Sequence, residues 1–249
     1  MLRANRLKQR LLQGEVSTGF WLFMASPAAT DVLSYMDTDA LIVDLEHSSG
    51  SVETAVQQFR CGRERTMLAR VSAAGAREIL PLLDAGCEGI FAANVQSTRE
   101  VERLVAACYY PPAGTRGLHY TVSRASGWGA HAADYADHAV RHTLVVAMIE
   151  SSEGVEAIPE MAKVPGLDML FIGPLDLSAS IGLAGQYHAP AFLELLHEAE
   201  RRCLEGGLAL GGTVLPGHSV GDLTERGYRF ITVGSDVSFL RQGCMQRPR

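Results

Sequence analysis

The chain predicts an α/β fold, a single (β/α)8 TIM barrel over residues 1–249, and three observations carry that prediction. Short apolar runs recur at residues 18–23, 40–44, 67–71, 89–93, 143–149, 169–173, 208–213 and 229–234. Most of their centres lie roughly 20–27 residues apart, the length of a strand, a turn, a helix and a turn. The runs are continuously apolar rather than alternating, as a sheet covered on both faces requires. A doubly wound open sheet is the rival, and the lack of a Gly-x-Gly-x-x-Gly turn after the first run speaks against it.

Taken in order, residues 1–14 hold basic residues and isolated apolar ones, among which Leu2, Leu7, Leu11 and Leu12 suggest a surface helix. No secretory or membrane-spanning segment can be drawn there. The second run leads into Asp44, Glu46 and His47, and the third carries Arg70. Residues 76–86 then place Ile79, Leu80, Leu82 and Leu83 on one broad face and stop at Gly86, which predicts a helix. The fourth run leads to Asn94 and Gln96. Over residues 98–109, Thr98 caps a helix, Glu100 and Glu102 favour its N-terminus, and Val101, Leu104, Val105 and Cys108 form its buried stripe. Pro111-Pro112 ends that helix. The intervals 95–142 and 174–207 are long, and extra length after a barrel strand usually builds the catalytic face, so both are assigned to it. The fifth run ends at Glu150, the sixth leads to Asp176, and the eighth to Asp236.

Composition narrows the function classes. Hydrophobic residues make up 47% of the chain and charged ones 20%, the profile of a globular protein. A net charge of −6 without any Lys/Arg run argues against nucleic acid or an anionic membrane as partner and points to a small molecule. The cysteines, Cys61, Cys87, Cys108, Cys203 and Cys244, are odd in number and scattered. That pattern fits neither a disulfide framework nor a zinc cluster, and it implies a reducing compartment, the cytoplasm.

Barrel enzymes draw their chemistry from the C-terminal ends of several strands, and these ends are polar here. Glu150 and Asp176 are hard oxygen donors suited to Mg²⁺ or Mn²⁺, with ordinary strand-end capping as the alternative. Arg70 suits an oxyanion or carboxylate, or else a structural ion pair with Asp44 or Glu46. His47 suits a general base, with Asp84 orienting it. Asn94, Gln96 and Asp236 read as ordinary loop polarity. Lys8 and Lys163 are the only lysines and neither ends an expected strand, which disfavours a Schiff-base mechanism.

These residues carry a resemblance. Ile42-Val43-Asp44-Leu45-Glu46-His47, Tyr110-Pro111-Pro112-Ala113-Gly114-Thr115-Arg116-Gly117, Ile149-Glu150 and Phe171-Ile172-Gly173-Pro174-Leu175-Asp176-Leu177-Ser178 resemble the HpcH/HpaI aldolase family in order and separation, over nearly the whole chain. The resemblance implies a class II, metal-dependent pyruvate aldolase on a phosphoenolpyruvate/pyruvate-type barrel. It puts the metal on Glu150 and Asp176, the catalytic histidine on His47, the transition-state arginine on Arg70 and the supporting aspartate on Asp84. Backbone groups of Gly173, Pro174 and Leu175 would face the substrate carboxylate, and Trp21 would line the pocket. The metal would be Mg²⁺ or Mn²⁺, with Co²⁺ or Zn²⁺ also fitting two carboxylates. The partners implied are a 2-keto acid, an aldehyde and further copies of the chain, as a trimer or hexamer.

The chain departs from the family pattern in three places. Met148 stands where many members carry glutamine, Leu118-His119-Tyr120 replaces a small glycine-containing turn, and the chain stops at Arg249, where members often continue into a helix that docks on a neighbour. Met148, His119 and Tyr120 would suit an alternative reaction on the same barrel, a citrate synthase-like condensation of oxaloacetate with acetyl-CoA in siderophore biosynthesis. A catalytically silent binding barrel is the remaining alternative.

Overall fold

The computed structural model describes residues 2–62, 64–72 and 74–246. Met1, where the expected N-terminal helix begins, and residues 247–249, the end of the chain, lie outside them. Eight strands form one closed barrel in chain order: β1 (Ser17–Leu22), β2 (Ala40–Asp44), β3 (Thr66–Val71), β4 (Gly89–Ala92), β5 (Leu144–Ile149), β6 (Met169–Ile172), β7 (Ala209–Thr213) and β8 (Phe230–Ser235). All pairs are parallel, and β1 closes the ring against β8. Each expected strand is present, with its ends within one residue of expectation. The helices are α1 (Arg6–Leu12), α2 (Pro27–Ser34), α3 (Val52–Cys61), α4 (Ala76–Asp84), α5 (Thr98–Cys108) and α6 (Ala132–His142). There follow α7 (Ser152–Met161), α8 (Pro174–Ser180), α9 (Pro190–Glu205), α10 (Val220–Glu225) and α11 (Asp236–Met245). No helix among the described residues is long and apolar enough to cross a membrane, and all five cysteines are free thiols.

Strand residues alternate between two cores. Leu41, Val43, Ala69, Ile90, Val145, Ala147 and Ile172 pack against the helices. Ile42, Leu68, Phe91, Val146, Met148 and Phe171 fill the barrel interior. That interior is aromatic: the Phe91 and Phe171 rings lie 5.4 Å apart, and Trp21 meets each edge-on at 5.9 Å. Rings of this size fit because small residues face them. A Cβ on Gly19 would come within 2.5 Å of the Phe230 ring, and one on Gly211 within 2.8 Å of Phe171. The parity of this alternation also aims Asp44, Arg70 and Glu150 inward, above Ile42, Leu68 and Met148 respectively.

The N-terminal helix is more than a surface element. Asn5 caps α1 by accepting from the Lys8 N–H, and its side-chain amide donates to the carbonyls of Glu88 and His142, just before β4 and β5. Lys8 Nζ reaches the Thr143 carbonyl at 2.7 Å and Asp168 at 2.9 Å. These bonds close the strand-start end of the barrel and drive Leu7, with no exposed surface, into the interior cluster. The sequence pattern misses this because only a narrow stripe of α1 is buried, while Leu12 stays exposed. Leu7→Ala is expected to lower stability by about 2–5 kcal/mol in a urea titration, the range for a buried leucine that leaves a cavity.

The two long intervals part ways. Residues 174–207 begin with α8 on the strand-end face, as expected. Residues 109–142 instead follow α5 down to the opposite end, because a helix after a parallel strand returns to the strand starts. There Arg124 donates to the Ala85 carbonyl at 2.6 Å, and Tyr120 packs on Tyr110. This segment and the start of the chain enclose a cleft of about 550 Å³ lined by Arg3, Glu88, Arg124, Trp128 and His142.

Candidate active site

At the strand ends a second cleft, of about 450 Å³, is lined by Glu46, His47, Asn94, Gln96, Glu150, Ser151, Glu153, Asp176 and Ser180. Strand ends β2, β4, β5 and β6 supply these residues, so three of the expected site residues, His47, Glu150 and Asp176, converge through barrel closure alone. Neither lysine lines it: Lys8 is held at the strand starts, and Lys163 pairs with Glu160 on the surface.

Against Glu46, which lines the cleft, an arginine that is not itself among the lining residues is held in a fork. Arg70 Nε and Nη2 donate to Asp44 Oδ1 and Oδ2 at 2.9 and 2.7 Å, and its guanidinium lies 4.7 Å from the Trp21 ring centre. The structural ion pair left open for Arg70 is therefore formed, and it uses only part of the fork. The same Asp44 carboxylate accepts the backbone N–H groups of Glu46 and His47 at 2.9 and 3.2 Å, which ties the loop after β2 to Arg70. Glu46 Oε2 lies 3.4 Å from Arg70 Nε and 3.7 Å from His47 Nε2. Burial opposes the charge on Arg70, but the hydrogen bonds and charge of Asp44 outweigh it and raise its pKa.

A wall of the cleft holds Glu150. Its Oε2 accepts the Asn94 N–H at 2.6 Å, and Gly173 gives it room, since a Cβ there would stand 2.5 Å from Oε1. Burial pushes the Glu150 carboxyl up to about 7; the Asn94 N–H opposes this, Asp176 adds to it, Arg70 opposes and Glu46 adds. Glu46 is likewise raised, chiefly by burial, against the pull of Arg70 and His47. Asp176 is exposed in the first turn of α8, which begins at Pro174. Glu150 is thus a desolvated carboxylate facing two more, while the nearest cation is already engaged by Asp44. A divalent cation fits that charge deficit. Among the described residues no group of three or more His, Cys, Asp or Glu is placed to hold a metal; the carboxylates that line the cleft are those of Glu46, Glu150, Glu153 and Asp176.

This environment has a pH signature. The folded-state pKa of Glu150 is raised above its ordinary value of 4.5, so the folded protein holds the extra proton between about pH 4.5 and 7. Its contribution is full below that window and is lost as pH rises through 7. Urea titrations in EDTA are expected to show wild type losing about 2–3 kcal/mol more than Glu150→Gln across this window.

The other expected residues fall as follows. Trp21 is buried beneath Arg70 and does not line the cleft. Pro174 is buried and Leu175 exposed. Asp84 is not brought to His47 within one chain: it ends α4 at the strand-start end, where its Oδ1 accepts from the buried Arg116 at 2.6 Å. Met148 lies buried below Glu150, and the loop carrying His119 and Tyr120 lies with the 109–142 segment, so none of the three lines the cleft. Asn94 and Gln96, read as loop polarity, do line it. Asp236 serves the backbone, accepting the N–H groups of Phe23 and Met24 at 2.9 Å each.

Comparison with known proteins adds independent findings. The family described as HpcH/HpaI aldolase/citrate lyase matches residues 17–242. A hydroxypyruvate/pyruvate aldolase of Pseudomonas aeruginosa is 32% identical over 247 residues, covering 98% of this chain and 92% of that one. A 4-hydroxy-2-oxo-heptane-1,7-dioate aldolase of Shigella boydii serotype 18 is 32% identical over 242 residues, covering 96% and 92%. Among solved structures, an HpcH/HpaI aldolase/citrate lyase family protein from Burkholderia cenocepacia J2315 superposes with a TM-score of 0.92 at 29% identity, covering 98% of this chain and 97% of that one. The citrate synthase SbnG superposes with a TM-score of 0.86 at 26% identity, covering 96% and 94%.

Proposed function

Because the chain belongs to the HpcH/HpaI aldolase/citrate lyase family, we propose that its strand-end cleft works as a class II pyruvate aldolase. It is a carbon–carbon lyase that cleaves or forms 4-hydroxy-2-keto acids, with pyruvate or a related 2-keto acid as donor and an aldehyde as acceptor. The observation that carries this reading is the acid pair across one cleft: a buried Glu150 without a full countercharge and the exposed Asp176 in the first turn of the helix after the next strand.

In this reading Glu150 and Asp176 hold a divalent metal ion, Mg²⁺ or Mn²⁺ before Co²⁺ or Zn²⁺. When bound, the ion supplies Lewis-acid polarisation of the keto acid. Arg70 offers the unused edge of its fork to the oxygen that gains charge as the enolate forms, and Trp21 and Asp44 keep that fork in place. Pro174 has no N–H, so the backbone donors for the substrate carboxylate in this turn are those of Leu175 and Asp176. His47, 62% exposed at the rim, takes the proton of the 4-hydroxyl in cleavage and returns it to the aldehyde oxygen in synthesis. Its acidic neighbour within one chain is Glu46. Asp84 could support it only from another copy, as a homo-oligomer, trimer or hexamer, would allow.

The curated relatives above act as aldolases, and the residues that suggested a citrate synthase, Met148, His119 and Tyr120, do not reach the cleft. The test is exchange of the pyruvate methyl protons in D₂O, followed by NMR with Mg²⁺ or Mn²⁺ and again after EDTA. Exchange that requires metal is the expected result. Absence of exchange, together with thiol release from acetyl-CoA plus oxaloacetate, would replace this reading with the citrate synthase. A melting temperature unmoved by metal and keto acid would overturn both, since specific ligands stabilise the folded state.

A further inference from the structure

We propose that Gln96 is a positioning residue that, through Asn94 and Ser151, fixes the Glu150 carboxylate and thereby sets the affinity of the cleft for a divalent cation. The inference rests on the reading of Glu150 as a metal ligand.

Asn94 has a φ of +46° although it carries a side chain. That left-handed conformation is unfavourable for a residue with a Cβ, though least so for asparagine. It aims the Asn94 N–H at Glu150 Oε2, 2.6 Å away, while the next N–H, of Val95, rejoins the sheet by donating to the Met148 carbonyl at 3.0 Å. A conformation that costs energy persists only where the surroundings over-determine it.

Gln96 supplies that constraint. Its Nε2 donates to Asn94 Oδ1 at 3.1 Å and to Ser151 Oγ at 3.0 Å. One amide therefore joins the residue that donates to Glu150 with the residue that follows Glu150 in the chain. Both of its hydrogens are engaged, which defines its orientation. Its own N–H donates to Glu100 Oε2 at 2.7 Å, anchoring it to α5. Ser151 is buried and caps α7 by accepting the Gly154 N–H at 3.1 Å. Gly154 in turn sits so close to the Val95 carbonyl that a Cβ would stand 2.9 Å from its oxygen. The strand ends of β4 and β5 are locked around the carboxylate.

The lock has a function because little else holds Glu150. On the opposite side the carboxylate fills the space left by the missing Gly173 side chain, which offers it no donor, and Met148 below offers no strong donor either. Partners of metal ligands typically change metal affinity tenfold to a hundredfold when removed.

The test is direct Mn²⁺ binding, read from the electron paramagnetic resonance signal of free Mn²⁺, on wild type, Gln96→Leu, Asn94→Ala and the double variant. Gln96→Leu is expected to weaken Mn²⁺ binding about tenfold or more. Gln96 is exposed, so the melting temperature in EDTA is expected to stay at the wild-type value, which a merely structural role would not allow. The double variant is expected to bind no more weakly than the worse single variant, because both act on one carboxylate. A Gln96→Leu affinity within about twofold of wild type, or fully additive effects, overturns the inference while leaving the metal reading intact. Wild type that binds no Mn²⁺ overturns the metal reading, and the inference falls with it.

Discussion

Glu150→Gln is expected to lower turnover by about a hundredfold to a thousandfold, a loss of the size seen when a group that stabilises developing charge is removed. The fold is expected to survive the change, and the metal-free variant to be the more stable protein above pH 7. The amide can still accept the Asn94 N–H through its oxygen, and burial no longer opposes a charge at this position. Asp176→Asn is expected to give the same catalytic loss without the gain in stability, since Asp176 is exposed. Turnover at saturating Mg²⁺ and urea titrations in EDTA, run side by side, check both halves. If Glu150 were a mere strand-end cap, the ranking would reverse, with stability lost and activity largely kept.

Arg70→Lys is expected to cost about a hundredfold or more in turnover while keeping the charge. The arginine acts as a plane with several donors: two grip Asp44, the face lies on Trp21 and, among the described residues, the remaining edge makes no hydrogen bond. A lysine ammonium presents one point and cannot do all three. The damage is expected to spread, because Asp44 also holds the N–H groups of Glu46 and His47. Stability is therefore expected to fall by about 1–3 kcal/mol, the cost of leaving a buried carboxylate partly unpaired. Steady-state kinetics with denaturant titration checks this, and full activity in Arg70→Lys would remove Arg70 from the chemistry.

The sequence makes the barrel legible because its signal is local. Each apolar run is long enough to be a buried strand, and parity within a run tells which residues face the interior, so Arg70 and Glu150 stand out as inward charges. What it hides depends on where a connection ends in space. Asp84 lies near a strand-end candidate in sequence, but a full helix carries it to the other end of the barrel, where it meets Arg116. The 109–142 segment is misread for the same reason: its extra length follows a helix rather than a strand. Leu7 looks like one residue of a surface stripe until barrel closure creates the opening that it fills. Asn94 and Gln96 are hidden in another way, because their residue types are common in loops. Their role depends on a backbone angle and on Ser151, more than fifty residues away in the chain.

The closure of the strand starts by α1 has a consequence for how such a protein changes over generations. Leu7, Asn5 and the Lys8–Asp168 pair secure one rim, while the cleft occupies the other. Substitutions at the secured rim would register as lost protein yield, and those in the loops around the cleft as altered chemistry. Selection can then act on the two nearly separately. A lineage is free to explore new acceptor aldehydes by changing strand-end loops while inheriting its folding intact.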